Sequence, residues 1–355
     1  MKQSVQEKLF ETVQFGSWNL RTRTAMAPMT RCFADDQTGV VGPDVVEYYR
    51  KRAADNIGLI ITEGTVISPQ GKGNPGVPGL YSSEQIAAWK KVTEAVHAEG
   101  GTIIAQIWHV GRLTHHELTG GLPPQAPSAI QAEGLVHRFR KPYDVPEEMS
   151  IEDIQEVVRQ FAQAAKNAIK AGFDGVEIHG AHGYLIDQFN SDLTNKRTDR
   201  YGGDFAQRLT FMKEVLASVI NAIGADRTLI RFSLMKDGYS DKIMENPEEA
   251  IRTFTEAFKE VGVKMIHPST AMMDFTEVFA DGKTLHQLVR KYWDGVSIGV
   301  GNLNQEIAEQ ALREGTIDIA AFGRPLLANP DFLHRIKNGE ELIEYDVNKH
   351  LGTLV

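Results

Sequence analysis

Residues 150–179 read SIEDIQEVVRQFAQAAKNAIKAGFDGVEIH, and this stretch decides the fold. Ile151, Ile154, Val157, Val158, Phe161, Ala165, Ala168 and Ile169 recur at helical spacing and form one apolar stripe. The spacing predicts an amphipathic helix over Ser150 to Ala171, with Ser150 as its N-terminal cap and Gly172 as its stop. The run that follows, Asp174 to His179, is short and apolar around its charged residues and reads as a buried strand. A helix, a glycine and a buried strand make one unit.

The same unit returns along the chain. Ser83 to Glu99, Gly100 and Thr102 to Trp108 repeat it, as do Asn246 to Val261, Gly262 and Val263 to His267. In the latter, Pro247 behind a capping Asn246 marks a helix start. Asn304 to Glu314, Gly315 and Ile317 to Phe322 give it once more. With Thr24 to Met29, Gly58 to Val66, Thr228 to Leu234 and Gly295 to Val300, the candidate strands number eight. Near-continuous apolar strands indicate a parallel sheet covered by helices, and eight such units predict an α/β chain closed into a (β/α)8 TIM barrel. An open doubly wound sheet is the alternative. With no linker and no second composition regime, residues 1–355 are expected to be one domain. The longest irregular stretch, Val110 to Glu148, follows the third strand and is expected to help cover a site.

Composition narrows the function. The chain has 355 residues, 42% hydrophobic and 24% charged, which suits a soluble globular protein. A formal charge of −9 without a basic block argues against nucleic acid as a partner. One cysteine, Cys32, forms no internal disulfide and leaves no cysteine cluster for a metal, which fits a reducing compartment. The N-terminus lacks an apolar core of signal-peptide length, and no stretch approaches the roughly 18 apolar residues of a membrane span. A cytoplasmic location follows, with no membrane partner; a monomer and a homo-oligomer fit equally.

In such a barrel the chemistry lies at the C-terminal ends of the strands. Those ends carry Pro28, Met29 and Thr30; Glu63, Gly64 and Thr65; Gln106, Trp108 and His109; then His179, His182 and Tyr184. Arg231 lies in the fifth strand, where an unpartnered cation would be costly to bury. Gly299 and Gly301 follow the seventh strand, and Gly323 and Arg324 the eighth, where such barrels often bind a phosphate. His179 and His182 have a spacing that also suits metal ligands, but only Glu63 offers a third ligand. Two neutral imidazoles can instead donate N–H bonds to a carbonyl oxygen, with a tyrosine beside them as proton donor. Trp108 reads either as barrel packing or as a wall of the site.

Taken together these residues resemble the Old Yellow Enzyme family, from about Phe10 to Gly339. The segments that carry the likeness are APMTR at 27–31, LIITEGT at 59–65, QIWHVGR at 106–112, HGAHGYLIDQF at 179–189, TNKRTDRYGG at 194–203 and AFGRPLLANPD at 321–331. The resemblance implies a non-covalent FMN, with its phosphate near Gly301, Gly323 and Arg324. It puts Arg231 at the N1 and C2 carbonyl side of the ring, Gln106 at the pyrimidine edge, and Pro28, Met29 and Gly64 along the ring. Thr30 falls where one branch of the family has a threonine on the flavin O4 and another a cysteine. The implied activity is NAD(P)H-dependent reduction of an activated C=C bond in an α,β-unsaturated carbonyl or nitro compound. His179 and His182 would hold the substrate oxygen, Tyr184 would protonate the α-carbon, and Trp108 would wall the substrate side.

Three departures from the family pattern bear on substrate range. Asn74 stands where an aromatic is common, the C-terminal EYDVNKHLGTLV is short and lacks an aromatic-rich tail, and MKDGYSDK differs in the fifth loop. Two other readings of the barrel stay open: a lyase or isomerase acting on a phosphorylated substrate without flavin, and a storage role in which FMN binds without physiological turnover.

Overall fold

Each predicted strand forms, and each pairs in parallel with the next one along the chain until the last meets the first. In the computed structural model these are β1 (Thr24–Met26), β2 (Leu59–Val66), β3 (Thr102–Trp108), β4 (Gly175–Gly180), β5 (Thr228–Ser233), β6 (Met265–Ser269), β7 (Val296–Gly299) and β8 (Ile319–Phe322). They close into a barrel, which excludes the open doubly wound alternative. The structure describes residues 7–236, 243–269, 274–279 and 282–355; most of MKDGYSDK, residues 237–242, therefore lies outside the described residues.

The deciding stretch folds as its pattern dictates. The helix is α3 of the outer ring, Ile151–Lys170, and follows α1 (Pro43–Ala54) and α2 (Ser83–Ala98). Ser150 caps α3 by accepting the Asp153 N–H while Asp153 caps back, and Gly172 past its end adopts φ +90°. Ile154, Val157, Phe161 and Ala165 are buried on its inner face. Each large apolar side chain so buried contributes roughly 1.5–3 kcal/mol. Asn246 precedes the helix Pro247–Glu260 as expected, but its side chain makes no capping bond, so Pro247 sets that start.

Several boundaries differ from the sequence reading: β6 runs two residues later than Val263 to His267, and β7 and β8 are shorter than expected. β1 ends at Met26: the Ala27 N–H still reaches the Phe322 carbonyl at 2.9 Å, but Pro28 has no N–H to continue the ladder, and Pro28, Met29 and Thr30 are left half-buried at the barrel mouth. The stretch 110–148 is irregular apart from Gln125–Ala126 pairing with Glu147–Glu148.

Strand register stacks the interior in layers. Ile61, Ile104, Leu229, Met265, Ile298 and Ile319 belong to one apolar cluster inside the barrel. At the opposite end from the mouth, the antiparallel pair Val13–Phe15 and Trp18–Leu20 forms a stopper, with Trp18 buried and its Nε1–H donated to the Asp174 carbonyl at 3.1 Å. Among the described residues no helix is long and apolar enough to cross a membrane.

Candidate active site

Because side chains alternate along a strand, register decides which of them share a level inside the barrel. Gln106 is in register with Glu177, and Trp108 lies two residues beyond Gln106, as His179 does beyond Glu177. His179 is in register with Arg231, and Arg231 with His267. One polar level thus holds Gln106 and Glu177, and the level above it holds Trp108, His179, Arg231 and His267.

The lower level is wired to the upper. Gln106 Nε2 donates to Glu177 Oε1 at 2.7 Å, and Glu177 Oε2 meets His267 Nδ1 at 2.6 Å. Burial pushes His267 below its ordinary pKa while Glu177 pulls the other way. With its amide nitrogen committed to Glu177, the carboxamide oxygen of Gln106 is the atom that remains to meet a ligand N–H. Arg231 is buried and its Nη2 donates to Ser269 Oγ at 3.0 Å. The same Ser269 Oγ lies 3.0 Å from His182 Nε2, so Arg231, Ser269 and His182 form one network.

Tyr184 reaches this level through a sharp reversal. His182 and Gly183 follow β4 with φ +60° and +75°, two left-handed residues in a row. Glycine adopts that conformation freely, whereas for His182 it is a strain of about 1–3 kcal/mol. The turn is held by Asp187 Oδ2, which accepts the Gly183 N–H at 2.8 Å, and by Gln188 Nε2, which donates to the carbonyls of Val110 and Gly183. Tyr184 therefore stands at the N-cap position of the short helix Leu185–Asn190, without a side-chain cap, and its ring packs over Trp108 and His179.

The result is a cluster of four rings. Tyr184 packs edge-on against Trp108 at 4.8 Å and against His179 at 4.9 Å between centroids, and His179 lies 5.2 Å from His182. Burial, then the charge of Arg231, holds both histidines well below the usual imidazole range, so they are neutral. His179 Nδ1 accepts the Ala181 N–H at 3.4 Å, which places the ring proton on Nε2. Trp108 Nε1 is buried and has no protein partner among the described residues. A Cβ at Gly64 would sit 2.4 Å from Trp108 Cε3, so that glycine seats the indole and leaves only its backbone for a ligand.

Above the rings lies a cavity of about 560 Å³ lined by Thr30, Trp108 and Tyr184, by Asn74, by the long loop and by Leu351. The short C-terminus thus completes the wall itself: Arg31 Nη2 holds the carbonyls of His350 and Leu351 at 2.8 and 3.5 Å. On the other side of the mouth, Gly301 and Asn302 have consecutive positive φ of +129° and +48°, a concave backbone suited to an anion. Gly323 lies beside Met29, a Cβ there falling 3.3 Å from its sulfur, and Arg324 is exposed. The set fits FMN: an acceptor and a cation inside the barrel, a half-buried bed at Pro28 to Thr30, and an anion cradle beyond it.

Glu63 is not a third metal ligand. It accepts the backbone N–H groups of Arg31 and Cys32, both at 2.9 Å, away from the histidines. His109 is buried, and burial holds it down to about 3. Asp199, Arg200 and Tyr201 are structural, Tyr201 Oη and Arg200 both meeting Glu214. The sequence reading missed Glu177, His267 and Ser269, although a charged or polar residue inside an apolar strand was the signal that did single out Arg231.

A family model described as the NADH:flavin oxidoreductase / NADH oxidase family matches residues 8–342. A flavin oxidoreductase of Emericella nidulans is 38% identical, covering 98% of this chain and 94% of its own. The 12-oxophytodienoate reductase 7 of Oryza sativa subsp. japonica is 37% identical over 96% of this chain and 90% of its own. Among solved structures, an old yellow enzyme homologue from Zymomonas mobilis superposes with a TM-score of 0.87 at 35% identity, covering 98% of both chains. Morphinone reductase in complex with tetrahydroNAD gives 0.86 at 36% identity, covering 96% of this chain and 93% of the other.

Proposed function

The chain belongs to the NADH:flavin oxidoreductase / NADH oxidase family, that of Old Yellow Enzyme, and from that membership we infer an FMN-dependent NAD(P)H ene-reductase whose proton donor is Tyr184. The observation that carries the residue assignment is the packing of Tyr184 on His179, beside His182, with Arg231 on the level of His179 and Gln106 on the level below.

When bound, FMN supplies the redox chemistry, taking a hydride from NAD(P)H and giving it to the β-carbon of the activated alkene. The side chains do the rest. His179 donates from Nε2 to the oxygen of the activating carbonyl or nitro group. Ser269, which accepts from Arg231, can give its own proton to His182 Nε2, leaving Nδ1–H of His182 as the second donor. Because both rings are neutral, they polarise the substrate oxygen without giving up a proton. Tyr184 delivers the proton to the α-carbon, and Trp108 excludes water from that side. Arg231 and Gln106 would serve the pyrimidine side of a bound flavin, Pro28, Met29, Thr30 and the Gly64 backbone would lie along it, and Gly301, Gly323 and Arg324 would hold its phosphate.

The cavity supports a small enone-type substrate, and the lone half-buried Cys32 supports a cytoplasmic setting. The test is direct: protein reconstituted with FMN is expected to be yellow, to bleach anaerobically with NAD(P)H and to recolour with cyclohex-2-enone. A colourless protein would overturn the reading in favour of a flavin-free lyase or isomerase. Bleaching without recolouring would favour the storage role.

A further inference from the structure

Asn74 and Arg138 have no part in the chemistry above, yet both line the cavity that holds Tyr184 and Trp108. Asn74, standing where this family commonly has an aromatic, accepts the Arg138 backbone N–H at 3.2 Å through Oδ1 and so pins residue 138 of the long loop to the wall. Arg138 itself is exposed, so its guanidinium stands at the rim of that cavity. The Cys32 thiol and the Glu63 carboxyl, both raised chiefly by burial, are each pulled back by the charge of Arg138.

The neighbouring charges are committed elsewhere. Glu63 is held by backbone N–H groups. Lys72 is paired with Asp36 at 2.8 Å, and Arg112 Nη1 donates to the carbonyls of Ile130 and Gln131 at 3.0 and 3.3 Å. Among the described residues no carboxylate lies within ion-pair distance of Arg138, Glu133 of the same cavity wall included. At Asn74 this wall is polar where the family commonly has an aromatic, and it carries a cation at its rim.

We propose that Arg138 determines specificity by receiving an oxyanion carried by the molecule whose reacting end lies at Tyr184. This rests on the ene-reductase reading and names its preferred ligands as anionic. The oxyanion has two chemical sources, a carboxylate on the alkene or a phosphate on the nicotinamide dinucleotide, and a guanidinium fork suits both. Asn74 is a positioning residue, since it acts through the backbone of Arg138.

The experiment follows the flavin absorbance of the FMN-loaded enzyme in each half-reaction separately. For alkene reduction the probes are a cyclohexenone bearing a carboxyalkyl chain and its methyl ester; for flavin reduction they are NADPH and NADH, which differ by one phosphate. The wild type is expected to prefer the charged member of one pair, and Arg138→Ala to cut that ratio of kcat/KM about tenfold, the worth of one charge-assisted hydrogen bond. Arg138→Lys should retain part of the ratio and Arg138→Glu reverse it. Loss of the first ratio alone assigns the oxyanion to the alkene, and loss of the second alone assigns it to the reductant. If both ratios survive Arg138→Ala while the flavin still cycles, the proposal is overturned and the ene-reductase reading stands. If the wild-type flavin does not cycle at all, that reading fails and the proposal falls with it.

Discussion

Tyr184 packs edge-on against Trp108 and His179, contacts that a phenylalanine ring keeps. Tyr184→Phe is therefore expected to spare flavin reduction by NAD(P)H and to slow alkene reduction by about 100-fold or more, the usual worth of a positioned proton donor. Stopped-flow traces of the two half-reactions check this, and equal damage to both would remove Tyr184 from its role. Glu177→Gln weakens the anchor of Gln106 at its Oε1 and the partner of His267 at its Oε2. The expected outcome is a shifted flavin midpoint potential, measured by redox titration, in protein that still binds FMN. At this scale His179, His182, Tyr184 and Arg231 were legible because an imidazole, a phenol or a guanidinium at an apolar strand's end costs too much to be idle. Glu177 and His267 carry the same cost, but they pair with each other across β4 and β6, whose strands are separated by β5. Nothing local in DGVEIH or KMIHPS announces that pairing.

The elements hold the site through close approaches that tolerate little change. Gly64→Ala would drive a methyl carbon into the Trp108 ring, and overpacking of this kind costs about 1–3 kcal/mol. A lower thermal midpoint together with altered tryptophan emission is expected; a wild-type melting curve would show that the indole has room to move. Ser150→Ala removes the reciprocal cap of α3 and should cost about 1 kcal/mol in urea unfolding without touching the site. Helices and strands were legible because their periodicities are local. The long loop was legible only as a loop: that Asn74 would hold the backbone of Arg138 depends on two segments meeting over the barrel, and spacing in one chain carries no trace of it. The same holds for the C-terminus, whose fit against Arg31 closes a wall that its short, aromatic-poor sequence left open.

The molecule as a whole buries more imidazole than its charge suggests. Burial holds His109 at about 3 and His286 at about 4, and holds His179, His182 and His267 below the ordinary value as well. In the unfolded chain all five titrate near 6.5, so below about that pH the unfolded state binds more protons and stability falls as pH drops. Glu63, raised to about 7, and Asp55, raised to about 6, work in the opposite sense, because their folded forms take up protons first. Five imidazoles outweigh two carboxyls, so the thermal midpoint is expected to fall between about pH 7 and about pH 5. A midpoint that rose on acidification would show the histidines to be solvated. The barrel itself was legible from eight repeats of one unit, since closure needs only their number and their two-sided burial. Its stopper was not, because Val13–Phe15 and Trp18–Leu20 are too short to stand out as strands.

That stopper has a kinetic corollary. A vessel sealed at its base has a single neck, so dinucleotide and alkene must queue for one berth, and the first must vacate before the second can moor. Initial rates at several fixed concentrations of either partner should give parallel double-reciprocal lines, and an excess of one should crowd out the other.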